Sequence, residues 1–304
     1  MSLPLADPPA QIQTEDCAIT KQHRTSRLLD APSPLRLWHL ASLDAPTVAV
    51  VWSLTFAHVA SVNLPFWVPL LLALGTWAVY IGDRLLDARS AIRSGDFSRL
   101  RERHYFHWRR RRLLVPLAVT AAVAAATVIF ILMPVAIRER DSALAVAALA
   151  YFSAVHLPRG RATRRTRFLP KEFLVGVLFT FGCALPTFSR LRLTAIRDAE
   201  LWPLIVAIAF FAMLAWLNCH AIERWESSTP SHVAANASVL GIAALVLALI
   251  FHHAAPNNSA LLIAGSAGAL LLALLDRFRG RLTSLTLRAA ADLALLTPIF
   301  LLAR

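Results

Sequence analysis

Two carboxylates near the end of the second long apolar stretch are the first residues whose types and spacing suggest chemistry. Asp83 and Asp87 are four residues apart in the segment YIGDRLLD (80–87), so on a helix they share one face. Like charges at this spacing repel, and the macrodipole disfavours anions at a helix carboxyl end by about 0.3–1 kcal/mol each. A divalent hard cation such as Mg²⁺, with a phosphate in its ligand shell, would offset both effects. A solvated helix end with interfacial salt bridges is the alternative interpretation.

A second acidic segment ends the sixth apolar stretch. Glu223 and Glu226 are three residues apart, and Asn218 lies about one and a half helical turns before Glu223. Two acidic helix ends on one side of a bundle can each hold a metal ion and face one diphosphate. For the two glutamates taken alone, a solvated loop ahead of Pro230 is the simpler interpretation.

Three further polar residues lie at or inside apolar stretches. Lys171 opens the fifth stretch and can bind a phosphate as a charged donor, or extend to the lipid headgroups. Asp44 precedes Pro46 early in the first stretch, where a helix cap is favoured over a ligand role. Asp292 lies deeper in the last stretch, and pairing with Arg288, four residues earlier, is its simplest explanation.

These residues belong to a chain that is too apolar for an ordinary soluble domain. Of its 304 residues, 57% are hydrophobic and 16% are charged, whereas soluble chains have about 45–50% and about 25%. A soluble globule, a disordered chain, a collagen and a disulfide scaffold are therefore poor fits. The three cysteines form neither a pairing pattern nor a CxxC metal site. A polytopic helical membrane protein remains.

The hydrophobic pattern predicts an all-α bundle of nine transmembrane helices over residues 37–304, after a disordered cytoplasmic tail over residues 1–36. Each span needs about 20 predominantly apolar residues, and its backbone groups must pair within the segment because lipid offers no partners. The predicted spans are 38–60, 64–83, 113–136, 142–157, 172–188, 201–222, 233–252, 259–275 and 285–302.

The distribution of basic residues predicts the orientation. With nine helices and the amino terminus inside, 24 Lys and Arg residues fall inside and six outside. This asymmetry predicts a multi-pass protein of the bacterial inner (cytoplasmic) membrane, with a cytoplasmic amino terminus, an external carboxyl terminus and both acidic segments on the cytoplasmic side. The basic and aromatic stretch 101–112 predicts an interfacial helix on anionic lipid rather than a nucleic-acid patch. His104 and His107 alone do not predict a zinc site.

Nine helices with acidic motifs at the cytoplasmic ends of spans two and six resemble the membrane-embedded prenyltransferases of the UbiA superfamily. In that family the two motifs bind Mg²⁺ and the isoprenoid diphosphate. Asp83 and Asp87 resemble its Asp-Arg-x-x-Asp core, and Tyr151 is similar to the Tyr of its Tyr-x-x-x-Lys element. The chain departs from the family at Val79 and Val155, where Asn and Lys are usual, and it has Glu where the second motif usually has Asp.

The resemblance implies Mg²⁺-dependent transfer of an isoprenyl group from an isoprenyl diphosphate to a lipophilic acceptor, for which an aromatic compound is one option. The implied metal ligands are Asp83, Asp87, Glu223 and Glu226. The implied catalytic residues are Asp83, Asp87 and Tyr151, and the implied diphosphate-binding residues are Lys171, Arg159, Arg161 and Asn218. The expected surroundings are the lipid bilayer, with no nucleic acid. The alternative is a non-catalytic or transport membrane protein with the same fold, because intramembrane carboxylates also mark ion paths.

Overall fold

A computed structural model describes residues 34–94, 102–139, 141–143, 146, 171–191, 198–227 and 232–303. Within these ranges the regular secondary structure is helical, and no strand occurs in them. In chain order, the principal α-helices are α1 (Pro34–Leu40), α2 (Asp44–Val59), α3 (Trp67–Ser94), α4 (Glu102–Arg109), α5 (Arg111–Leu132), α6 (Lys171–Phe188), α7 (Asp198–Ser227), α8 (Val233–Phe251), α9 (Pro256–Phe278) and α10 (Ser284–Ala294). Short 3₁₀ turns follow α9 at Arg279–Arg281 and α10 at Thr297–Leu301.

Several of these helices can cross a membrane. Among the described residues, six helical segments are long and apolar enough, and the bent pair α1–α2 raises the number to as many as seven. Helix α6 is apolar but shorter. Exposed apolar side chains such as Val123 and Ile131 on α5 fit a lipid-facing surface. The chain therefore has the features of an all-helical, multi-pass membrane protein.

The predicted number of nine spans is not confirmed. The fourth predicted span, 142–157, lies almost wholly outside the described residues, and the last is divided between α10 and the 3₁₀ turn that follows it. The predicted tail over 1–36 also lies outside them, apart from 34–36, which begin α1.

The first predicted span, 38–60, is broken in the middle. Helices α1 and α2 meet at 90°, and Ser42 between them has a left-handed φ of 59°. The Leu43 amide donates to the Trp38 carbonyl at 3.1 Å and the Ser42 amide to the His39 carbonyl at 3.1 Å, which are the two hydrogen bonds of a Schellman motif. Left-handed backbone is uncommon for a residue other than glycine. The turn brings His39 beside Asp44, the first residue of α2.

An aromatic group joins α2 to α7 in the core. The ring of Trp52 stacks on that of Phe211 with centroids 3.8 Å apart, and Phe56 packs against both. All three side chains are fully buried. The Trp52 indole also donates to the Leu295 carbonyl at 2.8 Å. Through these contacts α2, α7 and the end of α10 are held in fixed relative positions.

A glycine lets α9 approach the end of α10 closely. A Cβ atom at Gly268 would lie 2.5 Å from the Ala294 carbonyl oxygen, much closer than van der Waals contact allows. Helix α10 also carries Asp292. The absence of a side chain at position 268 therefore helps to set where that carboxylate lies.

We expect Gly268→Ala to lower the free energy of unfolding by about 1–3 kcal/mol, the usual cost of overpacking. Gly75→Ala on α3 is the matched control, because a Cβ there meets nothing within 4 Å and alanine is the better helix former by about 1 kcal/mol. Unfolding in mild detergent by added SDS, followed by circular dichroism, measures both variants. Equal stabilities would contradict the close approach of α9 and α10.

Candidate functional site

A group of polar side chains lies where the α1–α2 turn meets α3, α7 and α10. We define the His39 cluster as His39, Asp44, Arg84, Asn218 and Asp292. Nδ1 of His39 lies 2.7 Å from Oδ2 of Asp44 and 3.5 Å from Oδ2 of Asp292. Nη2 of Arg84 lies 3.5 Å from the same Asp44 oxygen. Nδ2 of Asn218 donates to Oδ1 of Asp292 at 3.0 Å, so the cluster connects five helices.

The charged side chains of the His39 cluster can be buried because their opposite charges compensate one another. The side chains of His39, Asp44 and Arg84 are at most 6% exposed, and burying an unpaired charge costs several kcal/mol. When His39 is protonated, two cations face two carboxylates and the cluster is neutral as a whole. Removal of any one charge leaves another buried without its partner.

Two sequence predictions about these acids change with the structure. The predicted helix cap at Asp44 is wrong, because the N-cap of α2 is Leu43 and no side chain caps this helix. Asp44 is instead the first residue of α2, where its Oδ1 accepts from the Ala45 amide at 3.0 Å and its other oxygen is engaged in the cluster. The predicted pairing of Asp292 with Arg288 is wrong. Arg288 reaches across to α7 and pairs with Glu226, whose side chain is 15% exposed. Glu226 is therefore part of the packed structure rather than of a solvated loop.

The His39 cluster contains donor atoms of the types that bind metals. One atom each of His39, Asp44 and Asp292 lie within 4.8 Å of one another, and imidazole with carboxylates suits several first-row divalent ions. The Arg84 guanidinium, however, already places a positive charge against Asp44. A divalent ion here would add two further positive charges beside a buried cation, which Coulomb repulsion disfavours. We therefore assign no metal ion to this cluster.

Helix α4 extends the polar network beyond the cluster. Nη1 of Arg84 donates to Oγ of Ser42 at 2.6 Å, and that hydroxyl lies 3.0 Å from Nε2 of His107. The other ring nitrogen of His107 lies 2.7 Å from the Arg103 carbonyl, so a neutral ring with the proton on Nδ1 satisfies both contacts. Burial, with Arg84 and Arg103 nearby, lowers the pKa of His107 to about 4.

Arg103 brings the two predicted acidic segments into one electrostatic environment. Burial and the charge of Arg84 lower the pKa of the Arg103 guanidinium, whereas Glu226, Asp83 and Asp44 act to raise it. Asp83 lies on α3 and Glu226 near the end of α7, far apart in sequence. Asp83 and the end of α7 thus both lie close enough to Arg103 to act on its charge.

The predicted site residues are placed as follows. Asp83 and Asp87 are half-buried on α3, Asn218 is buried on α7, and Glu223 is exposed near the end of α7. Lys171 is the first residue of α6, and Tyr151, Arg159 and Arg161 lie outside the described residues. Sequence reasoning missed His39, Ser42 and Arg103, because each gains its importance only from contacts across helices. A histidine and an arginine in a basic, aromatic chain carry no local signal.

A small cavity lies beside the His39 cluster. Its volume is about 40 Å³, and side chains of α2, α3, α6, α7 and α10 line it. Its lining includes the polar residues Asn218, Asp292 and Tyr80 and apolar residues such as Val48 and Phe179. Comparisons with protein-family models, with curated proteins and with solved structures find no match. The chemistry of this site therefore has to follow from its own geometry.

We expect Arg84→Gln to lower the free energy of unfolding by about 3–5 kcal/mol, because it leaves Asp44 buried without its guanidinium partner. Arg89→Gln, five residues later on the same helix and exposed, is the control and should change it by no more than about 0.5 kcal/mol. Both are measured by unfolding in detergent. Similar stabilities for the two variants would show that the Arg84 contacts contribute little.

His107 should make stability depend on pH. Its pKa in the folded protein, about 4, lies below the ordinary value of 6.5, so the unfolded chain binds more protons between these limits. The contribution is complete above pH 6.5 and is lost as the pH falls towards 4, by up to about 1.4 kcal/mol per unit. His107→Asn should flatten this dependence, whereas His58→Asn, at an exposed position, should not. Unchanged slopes in both variants would contradict the assignment.

Proposed function

We propose that the protein is a membrane-embedded prenyltransferase that transfers an isoprenyl group from an isoprenyl diphosphate to a lipophilic acceptor, with Mg²⁺ as cofactor. The observation that supports this most is the pair of half-buried carboxylates, Asp83 and Asp87, one helical turn apart on α3, together with the influence of Asp83 and Glu226 on the charge of Arg103. Carboxylates from two distant helices then lie near a cation that can contact phosphate. The resemblance of the segment around Asp83 and Asp87 to the UbiA superfamily points to the same chemistry.

The residues present fit a hard divalent cation. Asp83 and Asp87 are half-buried one helical turn apart on α3. Glu226, near the end of α7, pairs with Arg288 and would have to share its carboxylate with the ion. Carboxylate oxygens, completed by phosphate oxygens, are the ligands that Mg²⁺ prefers. When bound, Mg²⁺ would neutralise charge on the diphosphate. Glu223, exposed on the same helix end, stays a predicted ligand at the outer edge of this site.

The basic residues of the site would act on the leaving group. Arg103 is a half-buried residue whose charge is opposed by that of Arg84, so an added anion would stabilise it. A guanidinium can donate two parallel hydrogen bonds to phosphate oxygens. Arg103 would thus hold the diphosphate while negative charge grows on it during cleavage of the allylic carbon–oxygen bond. Lys171, Arg159 and Arg161 stay predicted contributors.

The apolar part of the substrate would lie along the apolar faces of the surrounding helices. An isoprenoid chain is hydrocarbon, and the surrounding helices are apolar in composition and packing. The cavity beside the His39 cluster is apolar over most of its surface, with Phe179 among its lining residues. An aromatic face of this kind can shield an allylic cation through its quadrupole.

A transport function is the second candidate, and the His39 cluster is the observation that favours it. Ionisable side chains inside membrane segments often mark proton or ion paths, and His39, Asp44 and Asp292 are such residues. The cluster is compensated internally by Arg84, which fits a fixed structural charge network better than a carrier site. We therefore rank transport second.

The proposal predicts that Asp83→Asn and Asp87→Asn each reduce Mg²⁺-dependent transfer by at least about a hundredfold. Each substitution removes a carboxylate ligand of the Mg²⁺ ion, whose charge would stabilise the leaving diphosphate. Glu200→Gln is the control, because Glu200 lies at the opposite end of α7 from Glu226, about 39 Å away along the helix at 1.5 Å per residue. Transfer is measured with purified protein in nanodiscs. The donors are radiolabelled isoprenyl diphosphates of several lengths, and a membrane lipid extract supplies the acceptor.

Diphosphate binding is measured alongside transfer, by competition with inorganic pyrophosphate in the presence of Mg²⁺. Loss of binding in Asp83→Asn but not in Glu200→Gln is the expected result. A folded wild-type protein that neither binds pyrophosphate nor transfers any isoprenyl group would overturn the proposed function.

A further inference from the structure

The cavity beside the His39 cluster has one feature that the proposed chemistry leaves unused. Asn218 is 4% exposed, and its Oδ1 has no hydrogen-bond partner within the described part of the chain. An unsatisfied buried carbonyl costs about 1–3 kcal/mol, so a ligand that donates to it would recover part of that cost. Asn218 is one of the residues that line the cavity.

Asp292 fixes which end of the Asn218 amide is held by the protein. Nδ2 of Asn218 donates to Oδ1 of Asp292 at 3.0 Å, and a carboxylate accepts hydrogen bonds but cannot donate them when ionised. One N–H of the amide is therefore committed to Asp292, and the amide oxygen is the atom left to accept a hydrogen bond. On the far side, His39 lies 3.5 Å from Oδ2 of Asp292, so the carboxylate is itself held in place.

The rest of the cavity limits the kind of ligand. Val48, Phe179 and Leu295 present apolar surface to it, so the ligand must carry hydrocarbon next to its donor group. The volume of about 40 Å³ exceeds the roughly 10–15 Å³ that one water molecule needs but is far below the 150 Å³ of a cavity that binds benzene. A hydroxyl group and the first few carbons of a slender chain fit these limits.

We propose that this cavity binds the hydroxyl head of a lipophilic alcohol, which donates a hydrogen bond to Oδ1 of Asn218. Asp292 is the positioning residue that keeps the amide oxygen turned towards the ligand. In terms of the proposed function, on which this assignment of role rests, the alcohol is the isoprenyl acceptor: its oxygen forms an ether bond to the allylic carbon, the bond from that carbon to the diphosphate oxygen breaks, and the released diphosphate takes up the hydroxyl proton. Binding of the hydroxyl head does not itself need diphosphate or Mg²⁺, so it can be tested separately from transfer.

A pair of photoaffinity probes tests the role of the hydroxyl. One is a dodecyl alcohol with a diazirine close to its hydroxyl, and the other is its methyl ether, which cannot donate a hydrogen bond. Full-length protein in nanodiscs, without Mg²⁺ or diphosphate, is irradiated with each probe, and labelled peptides are identified by mass spectrometry. We expect the alcohol to label peptides of α2, α6 or α7 saturably and at least about fivefold more than the ether.

Substitutions distinguish the effect of the hydrogen bond to the hydroxyl from the effect of the space available in the cavity. Asn218→Leu should reduce labelling by the alcohol to the level of the ether. Asn258→Leu is the matched control, since Asn258 is also 4% exposed with an unpartnered Oδ1 but does not line the cavity. Val175→Phe fills the cavity from α6, where Val175 is half-buried, and should reduce labelling by both probes even if Asn218→Leu fails to fold.

Equal labelling by alcohol and ether in wild type would overturn the proposal, as would labelling that Val175→Phe leaves unchanged. If wild-type protein binds the alcohol in the cavity but shows no isoprenyl transfer, the result counts against the prenyltransferase function and leaves the proposed binding site standing. Transfer that proceeds normally while the alcohol fails to label the cavity would contradict this site and leave the proposed function standing.

Discussion

One imidazole nitrogen between two carboxylates is the constraint on which the polar interior of this protein depends. Nδ1 of His39 lies 2.7 Å from Asp44 and 3.5 Å from Asp292, and Arg84 approaches Asp44 from the other side. Each group would be costly to bury alone. Together they require α1, α2, α3 and α10 to meet at one point, and the left-handed Ser42 supplies the sharp turn that this meeting needs.

This arrangement also determines what surrounds the site. Arg84 is drawn inward to Ser42 and Asp44, whereas Asp83, its neighbour on α3, acts on Arg103 together with Glu226. A single helical segment thus contributes a structural cation to the interior and a carboxylate to the region proposed to bind diphosphate. The same network holds Asp292, which orients Asn218 at the cavity. The same contacts therefore hold the helices together and position polar groups beside the cavity.

Hydrophobic periodicity was sufficient to predict helices, and eight of the nine predicted spans overlap helices in the structure. It did not predict the break at Ser42, because a left-handed serine has no local signal comparable to that of glycine. The spacing of four residues predicted an ion pair between Arg288 and Asp292, but Arg288 pairs with Glu226 on another helix. Contacts between helices outweigh the weak side-chain pairs that form within a single helix. Residues whose role depends on contacts between helices cannot be predicted from spacing along the sequence.

A double-mutant cycle between His39 and Asp292 is the most direct test of the central contact. His39→Gln, Asp292→Asn and the double variant are compared with wild type by unfolding in detergent at constant pH. If the two side chains interact as the structure indicates, their effects on the free energy of unfolding are coupled by about 1–3 kcal/mol. Effects that add to within about 0.5 kcal/mol, the behaviour of independent sites, would contradict it.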